Sequence, residues 1–216
     1  NKPMPARSQD SHDVLGTYHL VSNRQEMSII PQSPDELLKM LAYRHKILLH
    51  ARTDKNPGQF KDKNNFAGST AFVDFNLVKG TLIQSFDFYK ALEHPFSRAA
   101  YMLFVLSEVH PFLDGNGRIA RVMMNAVLVE TEQSKIIIPT VFRDDYMGAL
   151  KRLTKQGYTG PYIRMLQRAH EFSDNIFGDD MEEMQDYLKQ CNAFSEHTEA
   201  TLKIIPRNED FPDTSA

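Results

Sequence analysis

Residues 96–130 read "FSRAAYMLFVLSEVHPFLDGNGRIARVMMNAVLVE". The first run, 96–109, is apolar on nearly every side, which predicts a central buried helix. The last part, "IARVMMNAVLVE", predicts a second apolar helix starting near Gly117. Between them lies a polar connection, His110 to Asn116, in which Gly115 and Gly117 flank an asparagine. Two helices of this kind, joined by so short a link, place the end of one and the start of the other at a single point.

That point has the makings of an anion site. A helix start offers unpaired N–H groups and the positive end of its dipole. Gly115 and Gly117 let the backbone approach a phosphate with no Cβ in the way. Asn116 is expected to add an amide donor. Arg118 and Arg121, at i and i+3, lean over the same side of the first turn, and their guanidinium forks suit phosphate oxygens. Asp114 beside such a cradle calls for a bridging Mg²⁺, which takes one or two carboxylates plus phosphate oxygens. Within the connection, His110 is the residue able to move a proton near neutral pH. Together they describe a hydroxyl attacking a metal-bound phosphate.

Outward from this stretch the chain reads as helices. "SPDELLKMLAYRHKILLHA" opens with Ser33 as N-cap, Pro34 in the first helical position and Glu36 completing a capping box. Residues 53–75, rich in Asn, Gly, Asp and Lys with isolated phenylalanines, read as a loop carrying a short β-hairpin. Residues 76–93, 144–156, 161–177 and a segment from Asp179 onward read as further helices, and "SKIIIPT" as a short extended run. Residues 1–16 are expected to form a polar arm, and 17–30 fit either a short helix or an extended segment. The fold class is therefore all-α, with one small β-hairpin inserted between helices.

The net charge of −3 over 216 residues gives no reason to expect general nucleic-acid binding. One cysteine, Cys191, excludes an internal disulfide and fits a reducing, cytoplasmic setting. No run of 18 apolar residues is present, so no transmembrane helix and no membrane partner are expected. The chain begins "NKPMPARSQD", without an initiator methionine or an apolar signal core, as a fragment or trimmed chain would.

The stretch at 110–121 resembles the Fic family, whose motif is HxFx(D/E)GNGRxxR. His110, Phe112, Asp114, Gly115, Asn116, Gly117, Arg118 and Arg121 match every fixed position. The resemblance extends to "GQFKDKNNFAGSTAFV", similar to the family's flap, and to "IIIPTVFRDDYMGAL". It implies a Fic-type helical bundle with a catalytic core over 33–178, an N-terminal arm and short helix over 1–32, and a C-terminal helix and tail over 179–216. It also implies protein adenylyltransferase activity: transfer of AMP from Mg²⁺-ATP to a Ser, Thr or Tyr hydroxyl of a target protein. In that reading His110 is the general base, Asp114 holds Mg²⁺, and Gly115, Asn116 and Gly117 bind phosphates. Arg118 supports them, Arg121 faces the γ-phosphate, and Phe112 anchors the loop. In the related Doc toxins a lysine replaces the second glycine and the outcome is phosphorylation, so Gly117 points away from that branch.

Three further expectations follow from the resemblance. The hairpin edge captures an extended target segment by strand addition, with Phe60, Lys61 and Phe72 clamping the target side chain. Tyr146 lines the adenine pocket, with ordinary packing as the competing reading. An inhibitory glutamate pairs with Arg121: Glu199, late in a C-terminal helix, or Glu26. Both candidates miss the last residue of the family's (S/T)xxxE(G/N) pattern, and a solvated surface glutamate competes with each. The alternatives on the same fold are UMP or phosphocholine transfer, removal of AMP, or an autoinhibited nucleotide-binding regulatory module. An oligomer or a regulatory partner is compatible with all of them.

Overall fold

The computed structural model describes residues 8–68 and 70–207. The chain divides into two compact units, Asn1–Gln133 and Ser134–Ala216.

In the first unit, α1 (Ser8–Val21) and α2 (Arg24–Met27) precede α3 (Pro34–Leu48). The expected polar arm is thus largely a helix; residues 1–7 lie outside the described residues. At the start of α3, Ser33 accepts the Glu36 N–H at 3.2 Å. The Glu36 carboxylate reaches back to the N–H of Gln32 at 2.8 Å, one residue earlier than a standard capping box. The hairpin is minimal: β1 (Phe66–Ala67) pairs antiparallel with β2 (Thr70–Ala71), in the register Phe66 with Ala71. Then come α4 (Val78–Ala91), α5 (Pro95–Val109) and α6 (Asn116–Glu130).

α5 and α6 pack along each other and carry the core. Met102, Leu103, Leu106 and Val109 come from α5, and Ile119, Met123, Met124 and Val127 from α6. The sequence made α5 the central helix, but α6 is the more enclosed: every residue from Val122 to Leu128 is buried. Its two methionines and small alanines fit among neighbours on all sides, where straight aromatic rows would not.

α3 adds Leu37, Leu41 and Leu48 to this core, and on the same stripe a fully buried Arg44. Arg44 Nε donates to Glu26 Oε1 at 2.9 Å. Its Nη2 donates to the carbonyls of Glu26 (2.7 Å) and Ile29 (2.8 Å), and its Nη1 reaches the sulfur of Met123 at 3.2 Å. One guanidinium therefore ties α2 and the segment after it to α3 and α6.

The second unit holds α7 (Arg143–Gln156), α8 (Thr159–Asp174) and α9 (Met181–Gln190). α7 ends at Gly157, which takes φ 69°. α9 opens on Asp180, whose carboxylate accepts the N–H groups of Glu182 and Glu183. "SKIIIPT" is extended but pairs with no strand; the N–H of Ile137 donates to Ser173 Oγ at 2.8 Å. Among the described residues no helix is long and apolar enough to cross a membrane.

Candidate active site

His110 is the C-cap of α5, with φ 50°, a left-handed conformation uncommon for a residue with a Cβ. Its N–H still bonds to the Leu106 carbonyl at 3.1 Å. The imidazole Nδ1 lies 2.9 Å from the Ser107 carbonyl oxygen. A carbonyl only accepts, so Nδ1 carries the proton and Nε2 keeps its lone pair. Burial pushes the His110 pKa below its ordinary value; the Ser107 bond opposes this and the Lys61 charge reinforces it. The ring is thus a neutral base at pH 7. Phe72 stacks on its face at 3.6 Å between centroids, fixing the ring plane.

The connection is held by its own residues. Asn116 is buried, and its carboxamide closes a ring on Phe112: Oδ1 accepts the Phe112 N–H and Nδ2 donates to the Phe112 carbonyl, both at 2.8 Å. The expected amide donor to phosphate is therefore a loop staple. Phe112 is fully buried, stacked between His45 (3.7 Å) and Phe60 (5.2 Å). Gly115 takes φ 74° as the N-cap of α6, and a Cβ there would meet Leu49 at 3.1 Å. Left-handed backbone with a side chain costs on the order of 1–2 kcal/mol. Gly115→Ala is expected to lose about that much stability in urea denaturation.

Helical bonding to the Gly115 carbonyl begins with the N–H groups of Arg118 (3.1 Å) and Ile119 (2.9 Å). The N–H groups of Asn116 and Gly117 stand ahead of that ladder, at a cavity of about 330 Å³. His110, Asp114, Gly115, Asn116, Gly117, Arg118 and Arg121 all line the cavity, together with Leu113 and, from the hairpin, Asn65 and Phe66. Asp114 presents a partly exposed carboxylate: Oδ1 accepts the Gly115 N–H at 2.6 Å, and Oδ2 lies 3.4 Å from Arg52 Nη2. Among the described residues no group of three or more His, Cys, Asp or Glu is arranged to hold a metal. A single carboxylate beside a phosphate cradle is nevertheless the donor set Mg²⁺ accepts when phosphate oxygens supply the rest.

His45, on α3, holds the loop from beneath. It is fully buried; Nδ1 accepts the Gly58 N–H at 2.9 Å, so Nε2–H donates to the Asp114 carbonyl at 3.0 Å. Burial lowers its pKa from 6.5 to about 4; the bond to Asp114 opposes this and the Arg118 charge adds to it. In the unfolded chain the imidazole takes its proton near 6.5, so stability is complete above that pH and falls as pH drops toward 4. At 1.36 kcal/mol per pH unit the loss is roughly 3 kcal/mol. Urea denaturation at a series of pH values should show it, and His45→Gln, which gains no proton there, should flatten that part of the profile.

The structure places the other expected residues, and differs from expectation for the flap side chains and the setting of Glu199. Lys61 is buried, its Nζ bonded to Asn65 Oδ1 (2.7 Å) and to the Val109 carbonyl (3.3 Å), and its N–H bonded to the Pro111 carbonyl (2.9 Å). Phe60 and Phe72 stack inward on Phe112 and His110. These three residues brace the loop instead of reaching toward a target; the hairpin residues that line the cavity are Asn65 and Phe66, the latter 66% exposed. Glu26 is engaged by Arg44. Glu199 is exposed in a turn beyond the end of α9, not late in a helix. Tyr146 is buried on α7 in the second unit. His45, Arg52 and Asn65 were missed. Arg44 and His45 left one trace, two polar residues interrupting the apolar stripe between Leu41 and Leu48.

Comparison with known proteins agrees with this geometry. The Fic/DOC family model matches residues 35–128. The protein adenylyltransferase Fic of Drosophila grimshawi is 36% identical over 176 residues, covering 79% of this chain and 36% of its own length. The chain spans 16% to 36% of the length of the curated Drosophila relatives it matches. Among solved structures, Fic-1 (residues 134–508) of C. elegans superposes with a TM-score of 0.63 at 19% identity, over 89% of this chain and 55% of that one. BepC of Bartonella tribocorum, with bound AMPPNP, superposes at 0.57 and 18% identity, over 74% of this chain and 84% of that one. At these identities the structural likeness speaks for the fold.

Proposed function

We propose that this chain, which the Fic/DOC family model matches over residues 35–128, is a protein adenylyltransferase of that family, moving AMP from ATP to a Ser, Thr or Tyr hydroxyl of a target protein. The observation that carries this reading is the His110 tautomer. With Nδ1–H held by Ser107, Nε2 is left as a base at the wall of the cavity that the phosphate cradle lines.

The chemistry follows from that arrangement. The acceptor hydroxyl gives its proton to His110 Nε2 as its oxygen forms a bond to the α-phosphorus of ATP. The bond from that phosphorus to the bridging β-oxygen breaks, and pyrophosphate leaves. The N–H groups of Asn116 and Gly117 and the guanidinium groups of Arg118 and Arg121 bind and orient the phosphates. Asp114 is the residue to hold Mg²⁺, which when bound neutralises phosphate charge. A Cβ at Gly117 would lie 3.4 Å from Arg121 Nη1, an ordinary contact with the end of a flexible side chain. The exposed edge of the hairpin, with Phe66 and Asn65 beside the cavity, suits an extended target segment added as a strand. The D. grimshawi relative's description as a protein adenylyltransferase supports the same reading.

The test uses the purified chain, Mg²⁺ and a cell lysate as the source of acceptors. Label from ATP carrying it at the α-phosphate is expected on protein; label transferred only from the γ-phosphate would identify a kinase and contradict the reading.

A further inference from the structure

The matched family region starts at residue 35, yet one side chain at the cradle is held from well before it. Asp13, on α1, places Oδ2 2.6 Å from Arg118 Nη1 and 3.4 Å from Arg52 Nη1. Arg52, in the turn after α3, sends its other guanidinium nitrogen to Asp114 Oδ2 at 3.4 Å, and Arg118 Nη2 lies 3.8 Å from Asp114 Oδ1. The four side chains form a closed ring of alternating charge around the carboxylate and one of the two arginines of the motif.

Arg118 and Asp114 line the cavity; Asp13 and Arg52 form the side of this ring that does not line it. The carboxylate therefore grips Arg118 from the far side and leaves the space for an anion clear. A second observation fixes its place. Gly16, one turn on and on the same face, lies so close to the end of α3 that a Cβ would meet the Leu48 carbonyl oxygen at 2.5 Å and that of Ile47 at 2.8 Å. Leu48 and Leu49 in turn lie within 3.1–3.3 Å of where a Cβ on Gly115 would be. α1 thus bears on the end of α3, and the end of α3 bears on the first residue of the cradle. Asp13 Oδ1 is buried and makes no hydrogen bond among the described residues, so the carboxylate acts through Oδ2, which both arginines share.

We infer that Asp13 is a positioning residue of the phosphate site: α1 docks through Gly16 and presents a carboxylate that aims Arg118 at bound phosphate and shares Arg52 with Asp114. Without it Arg118 is free to swing, and Arg52 is left with Asp114 and the exposed Asp54 as partners. Both changes weaken nucleotide binding, one by misplacing a donor and one by neutralising the carboxylate expected to meet Mg²⁺. This rests on the proposed adenylyltransferase reading, and the test separates the two.

The test is calorimetric titration of the full chain with AMPPNP, a non-hydrolysable ATP analogue, with and without Mg²⁺, alongside urea denaturation of each variant. Asp13→Ala is expected to weaken AMPPNP binding about tenfold or more, the loss of one charge-assisted contact, and to raise KM for ATP more than it lowers kcat. Asp13→Asn, which keeps an oxygen facing Arg118, should fall between Asp13→Ala and the unaltered chain. Leu20→Ala, on the same helix and buried, is the structural control: it should lose stability but keep AMPPNP affinity within about twofold if Asp13 acts through Arg118. If the unaltered chain fails to bind AMPPNP, the adenylyltransferase reading falls and this inference with it. If it binds but Asp13→Ala binds equally well or more tightly, the inference alone is overturned.

Discussion

His110→Ala is expected to lower AMP transfer by about 10²–10⁴-fold, the usual contribution of a positioned general base, with little effect on AMPPNP affinity. The ring's hydrogen bond is from Nδ1 to the Ser107 carbonyl, and the capping bond to Leu106 belongs to the backbone N–H that alanine keeps, so removing the ring takes the proton acceptor and leaves the cradle standing. Loss of the stack on Phe72 should cost only about 0.5–1.5 kcal/mol of stability. The pH profile carries a second signature. A base works while it is unprotonated, and burial has lowered the pKa of His110. Transfer measured as kcat/KM should therefore stay level as pH falls through about 6.5, where an unperturbed imidazole would already be half protonated, and decline only in more acid solution. A Phe72→Ala chain, with one ring face opened to water, should show that decline at a higher pH.

The largest effect on stability is expected at Arg44. This guanidinium is fully buried and is satisfied by one carboxylate, two carbonyls and a sulfur. Arg44→Ala deletes all four contacts, leaves a cavity beside Met123 and strands the two carbonyls, for a loss of about 3–5 kcal/mol. Glu26→Ala should cost less, because its carboxylate is partly exposed and the carbonyls of Glu26 and Ile29 still hold the guanidinium. Arg44→Met, close in volume and apolar, should recover part of the loss, as replacing a buried ion pair by packed apolar groups often does. Urea denaturation of the three variants measures the order. Should Glu26→Ala raise AMP transfer at unchanged stability, Glu26 would be a brake on the enzyme and not the structural partner of Arg44.

What could be read in advance depended on whether burial follows an apolar pattern. α3 announced itself by Ser33, Pro34 and Glu36 and by leucines at helical spacing; it starts where expected and ends at Leu48, three residues short of the expected Ala51. α5 and α6 were legible for the same reason, the exposed hairpin from its Asn-, Gly- and Asp-rich loop, and the motif residues expected at the site all line one cavity. α1 was not legible, because its inward face is Asp13, Gly16, Thr17 and Leu20 while Val14, Leu15 and Tyr18 face outward. A helix that turns an acid and a glycine inward, to meet an arginine and a backbone, shows no apolar stripe to a reader of the sequence. The roles of Lys61, Phe60 and Phe72 failed for a related reason. Aromatic and basic residues on a polar loop look like binding groups, and only the tertiary contacts reveal that they face the loop's own support. Asn116 is the reverse case, correctly placed at the site but with its side chain engaged by Phe112.

The most direct measurement is the intact mass of acceptor protein after incubation with Mg²⁺-ATP and this chain, alongside the His110→Ala variant. A gain of one adenosine monophosphate, absent with the variant, is the expected result. A gain of one phosphate instead, or an adenosine monophosphate gain that survives loss of His110, would contradict transfer of AMP by a base at His110 Nε2.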